Sequence, residues 1–262
     1  MKTNLNRPIA ELTHEEIASI KVICFDGDGV TKRKGTEFLF ENGQMVLESY
    51  PPSERLKEKL IELSQFFHVT FSSGRSMQYL LNSYPDELMG ENGSLQAEIG
   101  MYLYYRSELI ENFKLSPSQK TKIEAVRQEL MRLKHADIKG FEPKEYLVTL
   151  HATKAIPEVD EIVKKYDPEG ELYCWWNEEA YDIGLKTINK ATGLQKLVER
   201  LGLKMENVMT VGNGINDENM TAVAAIDVST DPKHLQADFV AVGEDEGGEV
   251  VVDKLLSLVR QS

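Results

Sequence analysis

The segment Lys21–Thr31, "KVICFDGDGVT", runs from a short apolar stretch directly into two carboxylates set among glycines. An uninterrupted apolar run of this length is the pattern of a parallel strand covered on both faces, whereas a half-exposed strand alternates. The run stops at Asp26. Downstream, "SERLKEKLIELSQF" at 53–66 places Leu56, Leu60, Ile61 and Leu63 at helical spacing behind a Ser53 cap, and "HVTFSS" at 68–73 reads as a second buried strand. Strand, helix and strand form a βαβ unit, so the two acids stand at the end of its first strand.

The same rhythm returns late in the chain. From about residue 186, "NKATGLQKLVERLG" predicts a helix ending at Gly202, "NVMTV" a strand, "NDENMTAVAAI" a helix, "IDVST" and "ADFVAV" short strands, and "GGEVVVDKLLSLVRQS" a closing helix. Near the start, Thr13-His14-Glu15-Glu16 has capping-box form and predicts a short helix to Ser19. "GTEFLFENGQMVLES" predicts a hairpin turning at Asn42-Gly43, and "GENGSLQAEIGMYLYYRS" a second hairpin.

Between residues 111 and 185 the texture changes. A long amphipathic helix is expected in "SPSQKTKIEAVRQELMRLK", a strand in "KEYLVTLHA", a helix in "IPEVDEIVKKY" and strands in "ELYCWWNEEAYDIGL". Helices alternating with antiparallel strands predict an inserted α+β module of about 75 residues, a usual size for a small domain. The expected organisation is an α/β protein: a parallel-sheet core over 1–110 and 186–262, and an inserted domain over 111–185.

Composition narrows the function. With 30 Lys and Arg against 43 Asp and Glu, the formal charge of −13 repels a phosphate backbone at long range, so nucleic acid is not an expected partner. A small anion can still bind locally. Cys24 and Cys174 sit in apolar or aromatic runs with no zinc spacing, which suits a reducing compartment. No stretch approaches the roughly 18 apolar residues of a membrane helix, and the polar N-terminus lacks a signal-peptide core. A cytoplasmic protein without a membrane partner is expected.

Ligands of an open parallel sheet gather beyond the carboxyl ends of its strands. Four polar clusters are expected there: "DGDGVT" after the first strand, "SSGRS" after the second, "GENGS" after a third and "GNGIND" after the late strand at 208–212. Asp26 and Asp28 repel each other unless a divalent cation holds both, and hard oxygen ligands favour magnesium. Read alone, Asp-Gly-Asp-Gly is more readily a turn with solvated acids. Ser73-Gly74-Arg75 offers a hydroxyl and unhindered amides for a phosphate. Lys190, at the start of a helix, opposes the helix dipole unless an anion lies nearby.

Taken together, the four clusters resemble the motifs of the haloacid dehalogenase superfamily of phosphatases and phosphotransferases. "FDGDGVT" is similar to its Asp-x-Asp-Gly motif, "SSGRS" to its Ser/Thr motif in the Gly-Arg variant, "NK" at 189–190 to its lysine motif, and "VGNGINDENM" to its Gly-Asp-x-x-Asn-Asp motif. The insertion lies between the second and third motifs, as in members with a C2-type cap, the group that includes sugar phosphatases and phosphomannomutase. The resemblance spans essentially the whole chain and implies a Rossmann-like core.

It also implies roles. Asp26 is then the nucleophile that forms an aspartyl-phosphate, and Asp28 the acid and base at the leaving oxygen and at water. Ser73, Gly74, Arg75, Asn92 (from Glu-Asn-Gly at 91–93) and Asn216 are implied in phosphate or substrate binding, and Lys190 in neutralising charge beside Asp26. Mg2+ is the implied cofactor, held by Asp26, the Asp28 carbonyl, Asn213 and Asp217. One position departs from the family: residue 213 there carries a carboxylate, and Asn213 here offers only a neutral oxygen, which lowers the expected metal affinity. Val30, where threonine is more usual, is followed at once by Thr31.

The resemblance therefore implies a magnesium-dependent phosphatase of a small phosphorylated metabolite such as a sugar phosphate. The alternatives are a phosphomutase, or a catalytically impaired binding or regulatory protein because of Asn213. In the insertion, Trp175, Trp176 and Tyr181 could stack on a sugar and His151, Asn177 and Glu179 could meet hydroxyls, or all could simply pack the sheet. Lys32-Arg33-Lys34 reads as either an anion-attracting or a solvated loop.

Overall fold

The computed structural model describes residues 6–35, 50–243 and 247–260, together with the backbone of two strands at 37–41 and 44–48. The chain divides into two compact units, one comprising 1–37, 48–112 and 189–262, the other 38–47 and 113–188.

The first unit opens with β1 (Arg7–Pro8) and β2 (Val22–Asp26), every residue of β2 buried. The hairpin strands β3 (Glu37–Glu41) and β4 (Gln44–Glu48), grouped with the second unit, follow in the chain and pair as a two-stranded sheet; their expected turn at Asn42-Gly43 lies outside the described residues. Next come α1 (Glu54–Leu63), β5 (His68–Ser72), α2 (Met77–Ser83), β6 (Gly93–Ala97), β7 (Tyr102–Tyr105) and β8 (Glu108–Glu111). In α1 the Ser53 side chain accepts from the Leu56 amide, and Leu56, Leu60 and Leu63 are buried, as a helical stripe at that spacing dictates.

In the second unit, α3 (Pro117–Arg132), β9 (Ile138–Phe141), β10 (Val148–Ala152), α4 (Pro157–Tyr166), β11 (Leu172–Trp176) and β12 (Ala180–Leu185) build an antiparallel sheet in the order β11-β12-β10-β9. Strand β9 was not anticipated, because Lys139-Gly140 interrupts its pattern. The chain then returns to the first unit through α5 (Lys190–Arg200), β13 (Val208–Gly212), α6 (Glu218–Val223), β14 (Ile226–Ser229), β15 (Phe239–Val240) and α7 (Gly248–Val259).

The nine-stranded sheet of the first unit has the order β1-β15-β14-β13-β2-β5-β6-β7-β8. Its pairings are parallel from β1 through β6 and antiparallel only at β7 and β8. Strands β13, β2 and β5 are buried along their whole length. The apolar runs of the sequence thus occupy the centre of the sheet, where both faces are covered. Among the described residues, no helix is long and apolar enough to cross a membrane.

One local expectation is corrected. Thr13 and Glu16 do form the reciprocal bonds of a capping box, yet residues 14–19 make successive turns and not a helix. Ile17 and Ile20 are buried four and seven residues after Thr13, and the chain enters β2 before a helix can propagate.

Candidate active site

Register brings the motifs together. Phe25 pairs with Val211 on one side and Phe71 on the other, and Asp26 stands opposite Ser72. The loops that leave β2, β5 and β13 therefore depart at one level from three adjacent parallel strands, the carboxyl edge where such sheets bind ligands.

Lys190 joins the first and last of these loops. It is the first residue of α5, behind the Asn189 cap, and is almost fully buried. Its Nζ lies 2.6 Å from Asp26 Oδ1 and 2.7 Å from Asp217 Oδ1. Burial raises the Asp26 carboxyl above the usual range, the Asp217 charge adds to that, and the Lys190 ammonium pulls against both. Burial alone would lower Lys190, but the charges of Asp217 and Asp26 outweigh it and hold the ammonium protonated. The cation at a helix start is thus compensated by two carboxylates.

Asp217 organises the 213–217 turn. Its Oδ2 accepts from the amides of Asn213 (2.8 Å) and Gly214 (3.2 Å) while Oδ1 receives Lys190. A methyl built on Gly212 would meet Asp217 Cβ at 2.6 Å, so only glycine fits there. Both Asp217 oxygens accept hydrogen bonds, from Lys190 and from the turn's own amides, which makes the residue a buried anchor of the 213–217 turn. Asn216 lies in the same turn, partly exposed, its Oδ1 beside Gly214.

Asp28 follows one residue after Gly27. Arg75 Nε donates to its Oδ2 at 3.1 Å, and Lys32 Nζ lies 3.8 Å from its Oδ1. Ser73, buried, accepts the Arg75 amide on Oγ at 3.2 Å and donates its own amide to Gln96 O at 3.0 Å, while Gly74 is open on its Cβ side. Ser76 then caps the seven-residue α2. Gly29 has φ +82°, and a methyl there would stand 1.9 Å from Asn213 Nδ2. This close approach lets the Asn213 amide donate to the Asp28 carbonyl at 3.0 Å.

That hydrogen bond bears on magnesium. Asp26, the Asp28 carbonyl and, after a half turn of its amide, Asn213 Oδ1 are hard oxygen donors of the kind magnesium takes. They fit the ion chemically but bring a single carboxylate. Among the described residues, no group of three or more His, Cys, Asp or Glu is arranged to hold a metal.

Asn92 is not part of the cluster. Gly93 pairs with Val69 near the start of β5, so "GENGS" precedes β6 and lies at the amino edge, where Asn92 Nδ2 donates to the Ser64 carbonyl. The carboxyl end of β6 carries Glu98-Ile99-Gly100 instead, with φ of 48°, 56° and 94°. The Glu98 amide donates to Arg75 O and the Ile99 amide to Ser73 O, so this loop clamps the Ser-Gly-Arg turn. Only Gly100 hinted at it. Other unanticipated supports are Thr31, whose hydroxyl lies 2.7 Å from Tyr84 Oη, and Lys32, fully buried while Arg33 and Lys34 are exposed.

Within the second unit, Tyr181 is buried, with its hydroxyl bonded to both the amide (2.6 Å) and the carbonyl (3.1 Å) of Ile156. Asn177 Oδ1 accepts the Glu179 and Ala180 amides in the β11–β12 turn. His151 Nε2 lies 2.8 Å from Glu142, which also pairs with Lys144 at 2.9 Å. These side chains hold the sheet together. Trp175 and Trp176 are partly exposed. Cys24 is buried, which raises its thiol far above the reactive range, and Cys174 is partly buried, pushed up to about 12.

The model of haloacid dehalogenase-like hydrolases matches residues 90–230, more than half of the chain, and the chain belongs to that family. It is 25% identical over 181 residues to the phosphoglycolate phosphatase of Methanopyrus kandleri, covering 66% of this chain and 76% of that protein. Over 88 residues it is 34% identical to a Streptococcus pyogenes protein described as a bifunctional phosphatase/peptidyl-prolyl cis-trans isomerase, which is 32% of this chain and only 19% of that protein. Among solved structures, the C-terminal domain of C. albicans trehalose-6-phosphate phosphatase matches with a TM-score of 0.69 at 16% identity, covering 99% of each chain. A haloacid dehalogenase-like hydrolase from Bacteroides thetaiotaomicron matches at 0.63 and 16%, covering 91% and 99%. At these identities the structural matches show the fold, a largely parallel sheet with a separate antiparallel one.

Proposed function

We propose that the chain is a phosphatase that hydrolyses a small phosphorylated metabolite, such as a sugar phosphate, through an aspartyl-phosphate on Asp26. The observation that carries this reading is the pinning of Asp26 by Lys190. The Gly27 amide and Lys190 both meet Oδ1, which leaves Oδ2 for attack at phosphorus. In the proposed sequence, a bond forms from Asp26 Oδ2 to phosphorus as the bond to the leaving oxygen breaks, and Asp28 supplies the proton that the departing alcohol takes. Water then attacks phosphorus, the acyl-phosphate P–O bond breaks, and Asp28 accepts the proton of water. Lys190 and Ser73 would hold the transferred phosphoryl oxygens and Arg75 would hold Asp28, so positioning and charge carry the catalysis. Magnesium on Asp26, the Asp28 carbonyl and Asn213 would supply further neutralisation of phosphoryl charge. The family and the named activities of the relatives support a phosphomonoester substrate.

Release of inorganic phosphate from a panel of sugar phosphates and phosphoglycolate, with magnesium or EDTA, tests the reading, and Asp26→Asn must abolish it. Accumulation of an isomerised sugar phosphate would reassign the protein as a mutase. A second reading, a catalytically impaired homologue, is favoured by the Asn213 amide bonded to the Asp28 carbonyl. It gains if the natural chain is inert and only Asn213→Asp hydrolyses.

A further inference from the structure

Lys32 is a buried cation at this edge to which the reaction sequence above gives no task. Its side chain is fully buried, and Nζ rests 3.9 Å from the centroid of the Tyr79 ring without a hydrogen-bond partner among the described residues. The cation–π contact fixes its position but satisfies none of its N–H groups, and an ammonium buried in that state is costly. The backbone aims it: the Lys32 amide donates to Gly27 O and Lys32 O accepts from Gly29, folding the side chain back over Gly27. A methyl built on Gly27 would meet Lys32 Cε at 3.1 Å, Tyr84 Oη at 3.6 Å and Ser73 Oγ at 3.7 Å, so Lys32 and Ser73 both pack close over the residue that separates the two aspartates. Lys32 Nζ and Asp28 Oδ1 stand 3.8 Å apart, too far to bond each other. One oxygen at about 2.8 Å from each fits that span.

We propose that Lys32 donates a hydrogen bond to the leaving-group oxygen of the phosphoester, the atom to which Asp28 gives its proton. As the P–O bond breaks, the electron pair passes to that oxygen; Lys32 stabilises the charge and keeps its own proton, while the proton that completes the alcohol comes from Asp28. Such a residue matters most when the leaving group is a poor one. The inference rests on the phosphatase reading and names a catalytic residue for that site.

The test compares Lys32→Met with the unmodified enzyme on glucose 6-phosphate and on p-nitrophenyl phosphate, whose leaving group needs little stabilisation. Loss of kcat on the sugar phosphate by roughly 10²-fold, with kcat on the aryl phosphate within about threefold, is the expected result. The thermal midpoint should hold or rise, since a buried charge gives way to an apolar chain of similar length. Equal losses on both substrates, or none on either, would overturn the inference while leaving the phosphatase reading intact. Should Lys32→Met not fold, Lys32→Gln, which removes the charge but keeps a polar side chain, is compared on the same two substrates: a loss confined to the sugar phosphate supports the inference, and equal losses or none refute it. If the unmodified protein hydrolyses no phosphoester, the phosphatase reading falls and this inference with it.

Discussion

Lys190 Nζ lies 2.7 Å from Asp217 Oδ1 although 27 residues separate them, and the same nitrogen reaches Asp26 at 2.6 Å. One buried ammonium thus ties the strand that supplies the proposed nucleophile to the turn that follows β13. Two carboxylates at this spacing stay ionised together only while that cation is present.

Removing the cation should therefore cost both stability and activity. Lys190→Met would leave Asp26 and Asp217 facing each other in a buried site, a loss of about 3–5 kcal/mol by analogy with other broken buried pairs. Urea denaturation checks the first effect. Phosphate release, expected to fall roughly 10²-fold or more, checks the second.

Asn213→Asp should separate metal binding from folding. Without metal, the variant loses the hydrogen bond to the Asp28 carbonyl and sets a carboxylate near that oxygen, at about 1 kcal/mol or somewhat more. With a second carboxylate in the donor set, magnesium affinity should rise roughly tenfold or more. Calorimetric titration with magnesium reads the affinity, and thermal midpoints with and without the ion read the stability; unchanged affinity would show that residue 213 is not a ligand.

The acid limb of stability should report His68. Burial lowers its imidazole from 6.5 to about 4, so the folded protein refuses a proton that the unfolded chain accepts between those values. Stability is then complete above the unfolded value and declines as pH falls through the window toward 4, by about 3 kcal/mol in all. His68→Gln should flatten the slope of urea-derived stability between pH 6.5 and 4.5.

Tyr181→Phe distinguishes structure from recognition in the second unit. The hydroxyl satisfies the buried Ile156 amide and carbonyl, and its loss should cost about 1–3 kcal/mol. A ring acting only in packing leaves kcat/KM for a sugar phosphate within about threefold. A much larger loss of kcat/KM would restore this residue as part of a binding surface.

The central elements were legible because burial writes itself into short apolar runs. Val22–Phe25 and Val208–Val211 read as buried strands, and Ser53 as a helix cap, because each signal lies within a few residues of its effect. "GENGS" misled because a glycine-rich polar cluster looks the same before a strand as after one, and only the pairing of Gly93 with Val69 places it at the amino edge. The loop at the other end of β6 went unread because Ile99 adopts a positive φ that its side chain does not advertise.

The sequence by itself determined that acids, a hydroxyl and a lysine would stand at the ends of buried elements, because strand and helix signals are local. Tertiary structure alone decided which of them meet: the strand order β13-β2-β5 joins Asp26, Ser73 and Asp217 and leaves Asn92 at the opposite edge. It also decided that Lys32 is buried while Arg33 and Lys34 are exposed, since neighbours in sequence face different surroundings once the loop folds back over Gly27. Contacts between residues far apart in the chain depend on register and burial, which no short stretch encodes.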